Sequence, residues 1–170
     1  MAQQETTGQD IQRREFVVSV ETEALEGHRK KGVFLEPDYI REFTVYCDEG
    51  PRLGANTAPP PIGYFLQSAA FCTLTQLTRY GEMMKIGVNH AKVSVRARFR
   101  TTGSVLQETI EASTLDFEVK IEVDSDAPPE RVAALIRNAE AGCYVMQAIR
   151  NPVPVTTTVD LNGEALEVKA

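Results

Sequence analysis

The segment AKVSVRARFR, residues 91–100, decides the fold class of this chain. Apolar residues recur at every second position from Ala91 to Phe99, and lysine, serine and arginine occupy the positions between them. Because successive side chains of a β-strand point to opposite faces, this alternation predicts a strand with one buried face and one basic face.

A second segment, LDFEVKIEVD at residues 115–124, alternates in the same way, but its outward positions are mainly acidic. If the two segments are antiparallel neighbours, the basic and acidic faces oppose each other as cross-strand ion pairs. Each such pair contributes only ~0.2–1 kcal/mol. The charges therefore specify the pairing of the strands more than they stabilise it.

Two longer stretches follow the spacing of an α-helix. The first begins at Pro61 and is expected to end near Gly87, where a left-handed cap forms easily. The second starts at residues 125–129, which stop the strand before it, and runs to Asn151, before Pro152. Their apolar stripes are Ile62, Leu66, Ala69, Thr73, Leu77, Tyr80 and Met84, and Val132, Leu135, Ile136, Ala139, Cys143, Met146 and Ile149. Cys143 thus lies on the predicted buried stripe of the second helix.

The remaining elements are shorter. Residues 15–21, 33–35 and 40–47 are predicted strands, and the basic segment GHRKKG, residues 27–32, is predicted as an exposed loop. The proline-rich residues 48–61 are predicted as an ordered loop, and residues 153–168 as a hairpin that turns at Asn162-Gly163. This order of elements predicts the α+β class with an antiparallel sheet.

Length and composition limit the classes of function. A chain of 170 residues fits one domain, 1–170, of which residues 1–14 are expected to form a flexible N-terminal segment. The net charge of −6 argues against nucleic acid and anionic membranes as partners. Because no apolar run resembles a secretory or membrane-spanning segment, we expect a cytoplasmic protein.

The three cysteines are expected to be free thiols, because a disulfide framework needs an oxidising compartment and usually an even count. With two histidines and neither a CxxC nor an HExxH spacing, we predict no metal site. Cys72 and Cys143 stand on different predicted helices and can meet only through tertiary packing. The alternative for each is that of most free cysteines, a small buried apolar residue, and Cys47 keeps that interpretation.

Two segments resemble the OsmC/Ohr family of thiol-dependent peroxide-reducing proteins. DEGPRLGANTAPPPIGYFLQSAAFC, residues 48–72, is similar to the family's loop, proline and helix that lead to its first reactive cysteine. AEAGCYVMQAIRNPVPVTTTV, residues 139–159, is similar to the segment of its second cysteine. The resemblance implies an OsmC-like α+β fold, with two long helices on an antiparallel sheet and an intertwined homodimer.

The resemblance also implies a function in oxidative stress protection. Cys72 would attack an organic hydroperoxide and become a sulfenic acid, and Cys143 would resolve it as a disulfide. The expected partners are the hydroperoxide and an external dithiol reductant, with no bound cofactor. An arginine would favour the Cys72 thiolate; Arg29 is the best match and Arg41 the second, against the alternative of a solvated surface charge. The neighbouring His28 is expected to be exposed.

The sequence departs from the hydroperoxide-resistance branch at Ile62. That branch carries a glutamate directly after the helix-opening proline, where it orders the arginine, so this chain is more similar to the broader OsmC-like subgroup. The departure motivates an alternative function, a non-catalytic OsmC-like protein that binds a small molecule. A structural role beside another protein is a third interpretation.

Overall fold

The computed structural model of the chain describes residues 15–35 and 43–168. It contains two compact units, Met1–Pro61 and Ile62–Ala170. The expected flexible segment, residues 1–14, lies outside the described residues, and the single domain over residues 1–170 stays a prediction.

The first unit contains a three-stranded antiparallel sheet in the order β1-β2-β3. Its strands are β1 (Ser19–Ala24), β2 (Lys30–Leu35) and β3 (Phe43–Cys47). All three predicted strands are present, but β1 starts four residues later than predicted, and the first residues predicted for β3 lie outside the described part of the chain.

The basic segment was wrongly predicted as a loop in its second half, because Lys30, Lys31 and Gly32 belong to β2. Lys31 pairs with Glu23 on β1, with 3.4 Å between Nζ and Oε1. Pairing with strands on both sides satisfies the backbone of β2 and overrides the loop-forming character of its residues.

The proline-rich segment after β3 is an ordered loop, as predicted, and it is built around a buried carboxylate. Asp48 accepts hydrogen bonds from Thr57 N at 2.9 Å, Thr57 Oγ1 at 2.8 Å and Glu49 N at 2.8 Å. These bonds, those from Thr57 above all, lower the pKa of Asp48 from 3.8 to about 2. Gly54 is needed beside it, because a Cβ there would lie only 2.7 Å from the Glu49 carbonyl oxygen.

The first helix, α1, spans Pro61–Met83. It ends earlier than predicted. The residue that adopts the left-handed conformation after the helix is Lys85, with φ 53°, and not Gly87. The Ile86 N–H then donates to the Gly81 carbonyl at 2.8 Å, which closes the helix end.

Two long strands follow α1, β4 (His90–Thr102) and β5 (Glu111–Asp124), joined through a short 3-10 turn at Val105–Gln107. They pair antiparallel, with Arg98 opposite Asp116 and Arg96 opposite Glu118. Both pairs form ion pairs, the second with 3.5 Å between its charged atoms. The predicted opposition of basic and acidic faces is therefore confirmed.

The second predicted helix is two helices, α2 (Pro129–Gly142) and α3 (Tyr144–Arg150), which meet at Cys143. The prediction of one continuous helix was wrong at this residue. A final hairpin pairs β6 (Val159–Leu161) with β7 (Glu164–Leu166). It turns at Asn162 and Gly163, which have φ angles of 57° and 88° as a type I′ turn requires.

Two apolar clusters form the core of the second unit and join α1 to α2, α3 and the β4-β5 pair. The first is centred on Leu77, Ile86, Leu135 and Ala139. The second is centred on Ala69, Cys143 and Met146. The predicted α+β class with antiparallel pairing is confirmed. None of the helices among the described residues has both the length and the apolar character needed to cross a bilayer.

Candidate functional site

The packing of α1 against the α2–α3 junction brings the two cysteines of the second unit together. Cys72 is half-buried on α1 and packs against the cluster that contains Cys143. Cys143 is fully buried at the junction. Both are free thiols, and the Cys143 thiol is one of the groups that raise the pKa of Cys72.

The break between α2 and α3 determines how Cys143 is presented. Its backbone is extended, with φ −81° and ψ 106°, so that it ends one helix and caps the next. Its carbonyl accepts the Gln147 N–H at 2.9 Å, which starts α3. The first N–H groups of a helix cannot take part in its own i→i−4 bonds, so they interact with groups outside it.

Two of these N–H groups, from Tyr144 and Val145, act on the Cys72 thiol. Burial is the largest influence on this thiol and raises its pKa; the two N–H groups lower it, and the Cys143 thiol raises it again. The net direction is upward. Burial and the Cys143 thiol therefore favour the thiol form of Cys72, whereas the two N–H groups favour its thiolate.

Side-chain contacts fix the junction that carries Cys143. Gln147 Nε2 donates to the Glu140 carbonyl at 3.0 Å, and Arg150 pairs with the Glu140 carboxylate at 3.0 Å. On the other side the ring of Tyr80 lies against Gly142. The position of Cys143 is thus held from both helices and from α1.

A buried hydroxyl also touches the second cysteine. Thr73 is 1% exposed, and its Oγ1 lies 3.6 Å from Cys143 Sγ. The same oxygen lies 2.8 Å from the Ala69 carbonyl oxygen, one turn earlier on α1. The sequence predicted Thr73 on the apolar stripe of the first helix. A polar residue on that stripe was the signal that could have indicated a buried contact of its hydroxyl.

A second polar side chain is buried one turn after Cys72. Gln76 is 5% exposed, and its Oε1 accepts no hydrogen bond from the part of the chain that the structure describes. A buried oxygen without a donor costs about 1–3 kcal/mol. This position therefore favours a bound molecule or water that can donate.

Apolar side chains of α1 and α3 differ in their environments. Met146 is buried beside Cys143, and Phe65 stacks edge-on against Phe117, with 6.0 Å between ring centroids. Phe71 and Tyr144 are largely exposed, at 62% and 60%.

Arg29, the predicted partner of the Cys72 thiolate, belongs to the first unit. It is exposed, and its guanidinium lies 5.8 Å from the ring centroid of Tyr46. Its role at Cys72 stays a prediction. His28 is exposed, as expected, and Arg41 lies outside the described residues. Within residues 15–35 and 43–168, no group of three His, Cys, Asp or Glu side chains is arranged to hold a metal ion.

The sequence profile of OsmC-like proteins matches residues 54–158, more than half of the 170-residue chain. The chain belongs to the OsmC-like protein family. Both cysteines of the pair fall inside the matched part of this OsmC-like chain. No curated protein is significantly similar to it in sequence.

Solved structures of other proteins share the OsmC-like fold. An OsmC-like hydroperoxide resistance protein from Jannaschia sp. CCS1 is 22% identical, with 89% of this chain and 99% of that chain covered and a TM-score of 0.59. An OsmC-like protein from Mycoplasma pneumoniae is 12% identical, with coverages of 83% and 91% and a TM-score of 0.59. An organic hydroperoxide resistance protein from Elizabethkingia anophelis is 16% identical, with coverages of 83% and 93% and a TM-score of 0.57. At these identities the likeness establishes the fold.

Proposed function

We propose that this OsmC-like chain is a thiol-dependent peroxidase that reduces organic hydroperoxides and protects against oxidative stress. The observation that carries the proposal is the contact between Cys72 and Cys143, 71 positions apart in sequence, inside one cluster. Two of the structural relatives, from Jannaschia and Elizabethkingia, are named as hydroperoxide resistance proteins, which supports the proposed peroxidase function.

The chemistry begins at Cys72. Its thiolate attacks one oxygen of the hydroperoxide, the O–O bond breaks, and the alkoxide leaves and takes up a proton as an alcohol. The sulfur keeps the attacked oxygen as a sulfenic acid. The Tyr144 and Val145 N–H groups stabilise the thiolate before the attack, and Arg29 is proposed to position the peroxide and to support the same charge.

Cys143 completes the first half of the cycle. Its sulfur attacks the Cys72 sulfenic acid, the S–S bond forms, and the hydroxyl leaves with the Cys143 proton as water. An external dithiol then reduces the disulfide by two exchange steps and is itself oxidised. No bound cofactor is needed, because the electrons come from the two cysteines and then from the dithiol.

A second copy of the chain is the proposed assembly partner. Large apolar side chains are exposed on α1 and on the β4-β5 hairpin, with Met83 at 71% and Leu106 at 96%. Exposed apolar surface of this kind is typical of interfaces. We expect a homodimer in size-exclusion chromatography with light scattering; a species of 18.8 kDa would contradict it.

To test the peroxidase activity, we would measure the consumption of cumene hydroperoxide in the presence of a dithiol. The intact mass of the protein would be measured before and after peroxide. Wild-type protein should consume peroxide and lose two hydrogen atoms. Cys143→Ser should accumulate a dimedone-reactive sulfenic acid at Cys72, and Cys72→Ser should be inactive. Cys47→Ser is the matched control and should behave as wild type. Equal peroxide consumption by wild type and Cys72→Ser would overturn the proposal.

A second candidate function is binding of a small molecule without redox chemistry. It is favoured by Gln76 Oε1, which has no donor among the described residues, and by Ile62 in place of a carboxylate. A ligand with a hydrogen-bond donor would satisfy that oxygen. Three unchanged thiols after stoichiometric peroxide, together with a ligand that raises the Tm of wild type but not of Gln76→Leu, would establish this function over the first.

A further inference from the structure

The second thiol has a chemical difficulty that its surroundings must solve. Cys143 is 0% exposed, so its sulfur must find its hydrogen-bond partners within the protein and not in water. Its sulfur therefore needs a neighbouring group that can accept a hydrogen bond from the thiol and donate one to the sulfur when the proton leaves. The hydroxyl of Thr73, 3.6 Å from Cys143 Sγ, is within the distance of a hydrogen bond to sulfur.

A hydroxyl group has one hydrogen and two lone pairs, so it can change between acceptor and donor by rotating about one bond. When Thr73 donates to the Ala69 carbonyl, 2.8 Å away, its lone pairs can accept the Cys143 S–H. When Cys143 loses its proton, the same hydroxyl can turn and donate to the thiolate. The heavy atoms are already in place for both arrangements.

Hydrogen bonds from threonine to the carbonyl four residues earlier are common in helices and do not by themselves indicate a role. Two other threonines of α1 make them: Thr75 to the Phe71 carbonyl at 2.8 Å, and Thr78 to the Leu74 carbonyl at 3.1 Å. Both of these threonines are exposed, whereas Thr73 is buried against a sulfur. The contact with Cys143 therefore distinguishes Thr73 from residues with the same local bond.

We propose that Thr73 is a positioning residue for disulfide closure, which acts through Cys143 by accepting from its thiol and donating to its thiolate. The inference rests on the proposed function for the identity of the physiological oxidant only. In the closing step the Cys143 sulfur bonds to the Cys72 sulfur, and the group carried by Cys72 leaves with the bonding electron pair and the Cys143 proton.

Closure can be tested without a peroxide. In a Cys47→Ser chain, 2-hydroxyethyl disulfide reacts with Cys72 to give a mixed disulfide and one mercaptoethanol. Cys143 then attacks the Cys72 sulfur, the mixed S–S bond breaks, and a second mercaptoethanol leaves. Quenching with acid and measuring the intact mass over time separates the two steps.

Three variants of this chain decide the question. Thr73→Val keeps the branched shape and removes the hydroxyl; we expect it to form the mixed disulfide at the parent rate and to close about tenfold more slowly. Thr73→Ser restores the hydroxyl and should close within about twofold of the parent. Thr75→Val removes the matched bond away from the cysteines and should close at the parent rate. If Thr73→Val does not fold, Thr73→Ala replaces it with the same expected slowing.

Closure by Thr73→Val at the parent rate, or failure of Thr73→Ser to restore a slowed rate, would overturn the inference. Failure of the peroxidase proposal has a different signature. If hydroperoxide leaves Cys72 unoxidised while Thr73→Val still slows closure of the mixed disulfide, the role of Thr73 stands and the peroxidase does not. If hydroperoxide does oxidise Cys72, Thr73→Val should also prolong the dimedone-reactive sulfenic acid.

Discussion

The ring of Tyr80 on α1 occupies the space that a side chain on Gly142 would need, directly before Cys143. A Cβ at residue 142 would lie 2.7 Å from Cε2 and 2.8 Å from Cζ of this ring. These distances are too short for non-bonded carbon atoms, so either the ring or the α2–α3 junction would have to move.

Gly142→Ala should therefore destabilise the fold. Alanine is favoured over glycine in a helix by roughly 0.5–1 kcal/mol, but overpacking costs typically about 1–3 kcal/mol. We expect a net loss of about 1 kcal/mol or more and a Tm lower by roughly 2–4 °C for each kcal/mol. Gly87→Ala is the control, because a Cβ there meets no atom of the described residues within 4 Å. A Tm for Gly142→Ala equal to that of wild type would contradict this prediction, because the ring or the α2–α3 junction would then move without a loss of stability.

The reactivity of Cys72 should depend on its neighbour. Because the Cys143 thiol is one cause of the raised pKa of Cys72, Cys143→Ala should lower that pKa and increase the thiolate fraction at a given pH. Cys143→Ser, which keeps a hydroxyl partner, should change it less. The measurement is the pH dependence of iodoacetamide alkylation of Cys72 in a Cys47→Ser chain. A midpoint that moves upward in Cys143→Ala would contradict the assignment.

Asp48 should make the stability of its loop depend on acid pH. The folded-state pKa, about 2, lies below the ordinary 3.8, so the ionised carboxylate stabilises the folded state above about pH 4. This contribution is lost as the pH falls from about 4 towards about 2. Asp48→Asn, which replaces one accepting oxygen by a donor, should be less stable at neutral pH and should show a flatter pH profile in this window. Urea midpoints between pH 2 and 7 measure both effects.

The control for that measurement is Asp124→Asn, at the exposed end of β5. This variant keeps every hydrogen bond to Asp48, so the loss of stability attributed to Asp48 between pH 4 and 2 should remain in its profile. A profile for Asp48→Asn that keeps the wild-type slope between pH 4 and 2 would remove Asp48 as the cause.

The Arg98–Asp116 ion pair should contribute little to stability despite its close contact. Both side chains are exposed, and pairs of this kind contribute about 0.2–1 kcal/mol. A double-mutant cycle with alanine at both positions should give a coupling energy in this range that falls at roughly 1 M salt. The same cycle for Arg100 and the opposing Ser113, which carries no charge, should give a coupling near zero. Equal coupling energies for the two pairs would exclude a charge effect.

Alternation was sufficient to predict β4 and β5, because one face of each strand packs on the core and the other carries charge. The Asn162-Gly163 turn was also predictable, because few residue pairs adopt two positive φ angles. In these elements the local chemistry and the tertiary structure favour the same conformation.

The break at Cys143 could not be predicted in this way. The apolar spacing continues from Ala139 to Met146 as if one helix ran through, and no proline marks the break. Contacts with other elements accompany the change of direction there: Tyr80 lies against Gly142, and the first N–H groups of α3 act on the Cys72 thiol. The cysteine pair could be anticipated from the family resemblance, whereas the backbone donors and the Thr73 contact required the packed helices.

The long sequence separation of the two adjacent sulfurs has a consequence for unfolding. A covalent link between α1 and the start of α3 would enclose a loop of roughly 70 residues and reduce the entropy of the unfolded chain, a stabilisation of about 4 kcal/mol. That approaches the lower end of the free energy of unfolding of domains, about 5 kcal/mol. The heat resistance of the molecule would then depend on its oxidation state. It would be high after an oxidant has formed the link and low once the link is reduced.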